Sequence, residues 1–369
     1  MKKIVFVFTT MLCASAFAQE APHGKFSGYM FGDYFYNVQR DTSIALFKNT
    51  AVNGARDFQG FQLRRIYFTY DNEIAQAFTT RFRLESTTGS PIVKDAYLKW
   101  KNMFAGSDLY FGVQPTPAYD ISESAWGYRS LEKTIMDLRG IVPSRDLGVS
   151  LRGKLTGDGS LNYWVMVGNN SGTNAETDKF KRYYVNFQIK PVANLQATLY
   201  ADYAAQPAVN DPASVTIPKA TVSHSTMTTA VFVGYGMPDR YNLGVEGFLS
   251  TTEHDFAKTG SSSLNARSAM GISVFGSLNL SSDLSAVARF DLFNPNTDSD
   301  AKDPLKVPAS VVAASLARNY LIASLVWKAD KNVSIMPNIQ YETNEKAANA
   351  PVTPKSSVTA RVTFYYIFL

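Results

Sequence analysis

Apolar and polar residues alternate along most of the chain with a period of two residues. In residues 78–85, for example, phenylalanine and leucine fall on one face, while arginine and glutamate fall on the other. Such alternation predicts β-strands that bury one face. The candidate strands begin near residues 25, 58, 74, 92, 108, 145, 160, 180, 195, 225, 241, 268, 284, 319, 333 and 356. A soluble β-sandwich would show the same alternation, so the pattern alone does not decide between the two classes.

The connections between these strands alternate between short and long. Short turns are predicted at residues 71–73, 156–159, 191–194, 237–240, 281–283 and 329–332. The intervening connections are mostly long and polar, at 38–57, 115–144, 170–179, 204–224, 253–267, 295–318 and 343–355. This rhythm is typical of an outer-membrane barrel. We therefore predict an all-β fold, a transmembrane antiparallel β-barrel of about 16 strands, with short turns and both termini in the periplasm.

The chain ends on a strand with an unbroken apolar face. Its members are Val358, Ala360, Val362, Phe364, Tyr366 and Phe368. Soluble chains seldom end in this way, because termini usually fray. A closed barrel requires the last strand to pair with the first, at residues 25–36. The ending resembles the C-terminal recognition signal of outer-membrane proteins, except that Leu369 follows the final aromatic residue, and it implies contact with the barrel-assembly machinery.

The N-terminus has the pattern of a signal peptide. An apolar run follows Lys2 and Lys3, and a small-x-small cleavage site ends at Ala18. Cleavage there would remove Cys13, the one cysteine of the chain, and lower the formal charge from +5 to +3. We expect residues 1–18 to be removed and the barrel to comprise residues 19–369.

Composition narrows the class of protein further. Aromatic residues make up 13% of the chain, which argues against disorder. The only long apolar stretch lies at the N-terminus, so several membrane-spanning helices are not expected. The mean hydropathy of −0.13 resembles that of a soluble protein, but a barrel also gives such a value because its two faces average out. Four aromatic residues near strand ends are expected in the membrane-interface girdles: Tyr70, Trp100, Trp164 and Trp327.

The connection at residues 115–144 carries a helical pattern. Leu131, Ile135 and Leu138 fall on one face of a helix that Ser130 can cap and Gly140 can end. An external loop would gain little from this apolar stripe, whereas a loop inside the barrel would pack it against the wall. We predict that residues 115–144 fold into the lumen as a constriction loop.

Three motifs together resemble the porin O/P family, which is named for its phosphate-selective members. They are Phe61-Gln62-Leu63-Arg64-Arg65-Ile66-Tyr67, Gly112-Val113-Gln114-Pro115 and Arg145-Asp146-Leu147-Gly148-Val149. The long connection after the fifth strand is similar in position to the constriction loop of general bacterial porins. The resemblance covers most of the mature chain. It implies a sixteen-stranded, homotrimeric, passive diffusion channel for small hydrophilic solutes, surrounded by lipid of the bacterial outer membrane.

Basic residues outnumber acidic ones on the predicted lumen faces. A low-dielectric wall focuses their field on passing anions, so we expect a mild anion preference, with phosphate suggested by the resemblance. Each charge could instead pair across the wall, as Arg83 could with Asp95. The candidate pore-lining or constriction residues are Arg65, Arg81, Arg83, Lys99, Arg129, Glu132, Lys133, Arg139, Arg152, Arg182, Arg289 and Arg361.

Other chemistries have little support in the sequence. His254 and Asp255 lie near several serines, but a flexible external loop does not preorganise a nucleophile and a base. Residues 298–303 could bind Ca²⁺, although a solvated polar loop is the favoured reading. The basic residues are dispersed, which argues against nucleic-acid binding. We expect no enzymatic activity, no cofactor and no metal; the alternatives are a barrel for adhesion or structural anchoring and, less favoured, a barrel hydrolase.

Overall fold

A computed structural model describes residues 24–40, 56–237, 239–351 and 353–369. The predicted signal peptide lies outside these residues. The described strands are β1 (Lys25–Gln39), β2 (Gln59–Ala75), β3 (Phe78–Ser86), β4 (Ile92–Phe104), β5 (Ser107–Pro115), β6 (Arg145–Lys154), β7 (Leu161–Gly168), β8 (Arg182–Val192), β9 (Leu195–Ala204), β10 (Val209–Asn210), β11 (Thr221–Val222), β12 (Thr226–Met237), β13 (Tyr241–Ala257), β14 (Leu264–Asn279), β15 (Leu284–Asn294), β16 (Arg318–Asp330), β17 (Val333–Asn344) and β18 (Ser357–Ile367).

Sixteen of these strands form one closed antiparallel barrel. Each strand pairs with its neighbours in sequence, except that β9 pairs with β12 because β10 and β11 form a separate hairpin in the connection between them. The last strand closes the barrel on the first, with Gly32 opposite Phe364 and Tyr36 opposite Ala360. The predicted fold class and the predicted pairing of the two terminal strands are therefore confirmed.

The barrel wall is apolar outside and polar inside. On neighbouring strands Val231, Leu243 and Val274 point outward and are about half exposed. Thr228 and Asp291, which point inward, are fully buried. A soluble protein would bury the first set and expose the second, so this inverted pattern fits a wall that faces hydrocarbon.

Two predicted connections differ from the observed ones. The turn expected at residues 71–73 lies inside β2, where Asp71 pairs with Arg81 and Glu73 with Lys101 across the sheet. These cross-strand ion pairs extend the hairpin, although the local sequence has turn character. The connection expected at residues 253–267 is shorter than predicted, because β13 and β14 continue beyond the barrel and Phe256 packs in an external apolar cluster.

Short helices occur in two of the connections. Helices α1 (Asp120–Trp126) and α2 (Ile135–Leu138) lie between β5 and β6. A 3₁₀-helix (Ser299–Lys302) and α3 (Ala309–Ser315) lie between β15 and β16. Within the described residues, none of the helices has the length and apolar character that crossing a membrane requires.

Candidate functional site in the barrel lumen

The insertion at residues 116–144 packs against the lumen side of the barrel wall. Trp126 and Leu131 are buried in a cluster with Phe232 and Phe275 of the wall. Ile135 and its neighbour Met136 are buried in a second cluster with other wall residues. Leu131 and Ile135, two members of the predicted apolar stripe, are thus fully buried against the barrel wall.

The local structure of the insertion differs from the single helix expected at residues 130–140. Its helical turns are α1 and α2, and Ser130 caps neither, because its hydroxyl points toward the sulfur of Met336. Gly140 follows α2 with a φ of 66°, the left-handed conformation expected of a helix-ending glycine. Packing against a curved wall, rather than helix propensity, determines where these short helices form.

Polar contacts attach the insertion to strands on opposite sides of the barrel. The Asn186 amide of β8 donates to the Pro117 carbonyl at 2.9 Å. The Ser122 hydroxyl donates to Glu246 of β13 at 3.0 Å. Arg64 of β2 donates to the carbonyls of Ser130 and Leu131, each at 2.8 Å. The insertion therefore runs across the lumen.

The wall opposite the main body of the insertion carries two groups of charges, each centred on a buried carboxylate. Glu85 lies 3.1 Å from both Arg65 and Lys94. Asp95 lies 3.3 Å from Arg83 and 2.5 Å from Arg145. Four cations therefore surround two carboxylates, and the two groups together carry an excess of two positive charges.

The insertion contributes a group of charges that is close to neutral. Arg129 contacts Glu123 and lies 2.8 Å from Asp137, which also pairs with Lys133 at 3.4 Å. Burial alone would raise the pKa of the Asp137 carboxyl, but Arg129 and Lys133 outweigh this effect and lower it. Burial likewise opposes ionisation of Glu132, and nearby arginines, above all Arg64, hold its pKa below the usual value.

Four of the predicted pore-lining arginines are buried, with side chains no more than 5% exposed. Each faces a carboxylate. The pairs are Arg139–Glu342 at 2.9 Å, Arg182–Asp202 at 2.7 Å, Arg289–Asp291 at 2.5 Å and Arg361–Asp33 at 3.7 Å. Arg139 lies in the insertion and Arg289 donates to the Lys133 carbonyl, so these two link the insertion to the wall. Arg182 and Arg361 form their ion pairs within the wall.

Other predicted residues keep contact with solvent inside the barrel. The side chains of Arg65, Arg81, Lys99 and Lys133 are between 26% and 32% exposed. Arg81 pairs with Asp71, and Lys99 pairs with Asp108, each at 2.7 Å. The proposed cross-wall pair of Arg83 and Asp95 is also present.

Arg152 has a different environment from the other predicted cations. Its guanidinium carbon lies 3.5 Å from the ring centre of Trp164 and 4.1 Å from that of Tyr110. Trp164 was expected in an outer aromatic girdle, but it faces the lumen and is only 8% exposed. This prediction was wrong. A residue near a strand end can lie on either face of the wall, and the contact with Arg152 favours the lumen face for Trp164.

The lumen-facing cations Arg145, Arg64 and Lys94 were not predicted from the sequence, and the last two share one feature. Both occupy β-bulges: the register passes from Arg65 to Leu63 opposite β1, and from Asp95 to Val93 opposite β3. A bulge inserts one extra residue and breaks the alternation of faces. Two consecutive charged residues within a lipid-facing strand are the sequence signal that could have revealed each bulge.

The residues considered for catalysis and for Ca²⁺ binding in the external connections make other contacts. The ring of His254 hydrogen-bonds the Ser223 carbonyl at 2.7 Å. Asp298 and Asp300 both pair with Lys258, at 3.0 and 2.8 Å, so lysine occupies the position considered for Ca²⁺. Within the part of the chain that the structure describes, no group of three or more histidine, cysteine or acidic residues could hold a metal ion.

No protein-family model matches the chain, and no curated protein matches its sequence. Solved structures of outer-membrane proteins do match. The outer membrane channel DcaP of Acinetobacter baumannii has a TM-score of 0.63 at 11% identity, covering 94% of this chain and 97% of that one. The anion-selective porin from Comamonas acidovorans has a TM-score of 0.61 at 10% identity, covering 94% and 100%. Pseudomonas putida OprB has a TM-score of 0.66 at 10% identity, covering 94% of both chains.

The chain has the fold of these outer-membrane proteins. The likeness extends over almost the whole length of each, so the barrel as a unit is shared. At such low identity the likeness concerns the fold alone.

Proposed function

We propose that the chain forms a passive diffusion channel for small hydrophilic solutes in the bacterial outer membrane. The observation that carries this proposal is a set of charged side chains inside an apolar-walled barrel that stay partly exposed, among them Arg65, Arg81 and Lys99. A lumen filled by packed side chains would bury such groups completely. The insertion would narrow the passage, because it crosses the lumen and is held from both sides.

We further propose a mild anion preference. The excess of two positive charges around Glu85 and Asp95 faces the water-accessible part of the lumen, and a low-dielectric wall focuses its field on passing ions. The anion selectivity named for the Comamonas acidovorans porin, which has the same fold, supports the proposal. Phosphate belongs to the anions that such a wall would admit.

We also propose that the mature protein assembles as a homotrimer after cleavage at Ala18. The apolar outer strands would contact lipid, and β18 would be read by the barrel-assembly machinery through its apolar face. The fold shared with outer-membrane channels supports this assignment.

Conductance of the purified protein in planar bilayers tests the proposal. We expect stable steps of current and, across a potassium chloride gradient, a reversal potential that favours chloride. Electrically silent insertion would support the structural or adhesive alternative instead. A reversal potential that favours potassium would leave the channel intact and remove the anion preference.

A further inference from the structure

The guanidinium of Arg152 on β6 lies against two aromatic rings of the lumen wall. The ring centres of Trp164 and Tyr110 lie 3.5 and 4.1 Å from the central carbon of Arg152. Such short separations are those of a cation in contact with aromatic rings. The rings restrict the side chain of Arg152, so its position is fixed before any solute arrives.

The charge of Arg152 is not neutralised by an ion pair. Among the described residues no carboxylate forms an ion pair with it, although Asp108, opposite it on β5, and Asp120 at the start of α1 are near enough to interact with it electrostatically. One guanidinium nitrogen donates to the Gln114 side chain at 3.2 Å, and Nε has no hydrogen-bond partner. The other predicted lumen cations each face at least one carboxylate.

A further ring lies beside this cation. The ring centre of Tyr97 lies 5.5 Å from that of Tyr110, and Tyr97 is only partly buried. Lys99, on the same face of β4, lies 5.4 Å from the Tyr110 ring. The wall therefore combines an unpaired positive charge with an accessible aromatic surface.

We propose that this group, Arg152 with Tyr97, Tyr110 and Trp164, is a binding site for small anions that carry an aromatic ring, such as aromatic carboxylates. The carboxylate would pair with Arg152, and the ring would contact Tyr97. A wall of charge alone would treat all monocarboxylates of one size alike, whereas an aromatic surface distinguishes a planar ring from a puckered one. The inference rests on the proposed channel and specifies one class of its solutes.

Block of the potassium chloride current by added carboxylates tests the site in planar bilayers at neutral pH. Benzoate and cyclohexanecarboxylate have the same charge and nearly the same size. We expect benzoate to reach half block at a concentration about two- to tenfold lower, the range that ring contacts support. Benzyl alcohol, which has the ring without the charge, should not block at these concentrations.

Two variants separate the contributions of ring and charge. Tyr97→Leu should bring the two half-blocking concentrations together, and Arg152→Gln should raise both. Arg81→Gln removes an equal charge from the same wall, but Arg81 pairs with Asp71, so the preference for benzoate should persist in this comparison variant. A heat-dependent shift in gel mobility checks that each variant forms a folded barrel.

Equal block by the two carboxylates in the unmodified channel would overturn the inference and leave the channel intact. An unchanged preference in folded Tyr97→Leu would also overturn it. If the protein does not conduct, the proposed function fails, and saturation-transfer NMR with benzoate on the detergent-solubilised protein then decides the site separately. Binding that Arg152→Gln abolishes would support the site, and absence of binding would refute it.

Discussion

Replacement of Asp95 by asparagine tests the charge balance of the lumen wall directly. Asp95 is fully buried and lies between Arg83 at 3.3 Å and Arg145 at 2.5 Å. Asparagine has nearly the same shape, so the substitution removes one negative charge and leaves two guanidinium groups without their shared carboxylate. We expect the preference of the channel for anions to increase.

The size of the effect follows from the added net charge. A unit charge about 4 Å from a passing ion changes its energy by about 1 kcal/mol in water, and salt screens this over about 10 Å at 0.1 M. The energies of chloride and potassium change in opposite directions, so a screened change of about 0.25–0.5 kcal/mol for each ion corresponds to a factor of about two to five in the chloride-to-potassium permeability ratio. Reversal potentials in a potassium chloride gradient measure this ratio.

A reciprocal variant and a distant one control the measurement. Arg83→Gln removes a positive charge from the same group, so it should lower the ratio by a similar factor. Asp211→Asn, in the external connection that contains β10 and β11, should not change it. If folded Asp95→Asn and Arg83→Gln shift the reversal potential in the same direction, or shift it not at all, the assignment of these charges to the permeation path is refuted.

Three further predictions concern the insertion. Modification of Arg129→Cys with a bulky thiol reagent should reduce conductance, because Arg129 belongs to the segment that crosses the lumen. Gly271→Ala should destabilise the barrel by about 1–3 kcal/mol in urea unfolding, because the added carbon would meet Phe248 and lie 2.9 Å from Ile135. The lowered pKa values of Glu132 and Asp137 keep both ionised at neutral pH, so infrared spectroscopy of the carboxyl stretch should show both groups protonating only below the usual range of carboxyl pKa values.

Two of these predictions have a matched control variant. Modified Lys179→Cys, in the external connection after β7, should conduct normally. Gly247→Ala lies on the neighbouring strand, where the added carbon finds only a carbonyl oxygen at 3.8 Å, so its stability should be unchanged. Normal conductance after confirmed labelling of Arg129→Cys would exclude the constriction. Equal stability of the two alanine variants would contradict the packing at Ile135. Protonation of Glu132 or Asp137 at or above the usual carboxyl pKa would contradict the ion pairs that keep them charged.

The strands were predictable because their signal is local. Alternation and turn residues act within a few positions, and the observed barrel strands begin no more than four residues from the predicted starts. The largest errors, at β3 and β14, arise where longer hairpins are held by contacts that a sequence does not display. Asp71 and Arg81 are ten residues apart, and their pairing requires the hairpin to exist first.

The candidate site was less predictable, because it depends on contacts between distant strands. The apolar stripe of the insertion predicted that residues 115–144 would pack inside, but the wall residues clustered with Leu131 come from strands more than 100 residues further along the chain. The sequence likewise could not separate anchoring arginines from accessible ones. Arg289 and Lys99 both lie between apolar neighbours, yet the insertion contacts Arg289, and Lys99 stays partly exposed.

Because of the two bulges and the insertion, one side of the lumen wall is covered by the insertion and the other carries more cations than carboxylates. In a strand with strict alternation only every second residue points into the lumen. This limits the number of charged side chains that the strand can place there. The bulges at Arg64 and Lys94 relax that limit on β2 and β4, and Arg64 uses its extra inward position to hold the insertion from the side opposite Glu246. The remaining wall keeps its excess cations and the rings beside Arg152. The proposed anion preference therefore rests on where the alternation of the strands is broken, and not only on how many basic residues the chain contains.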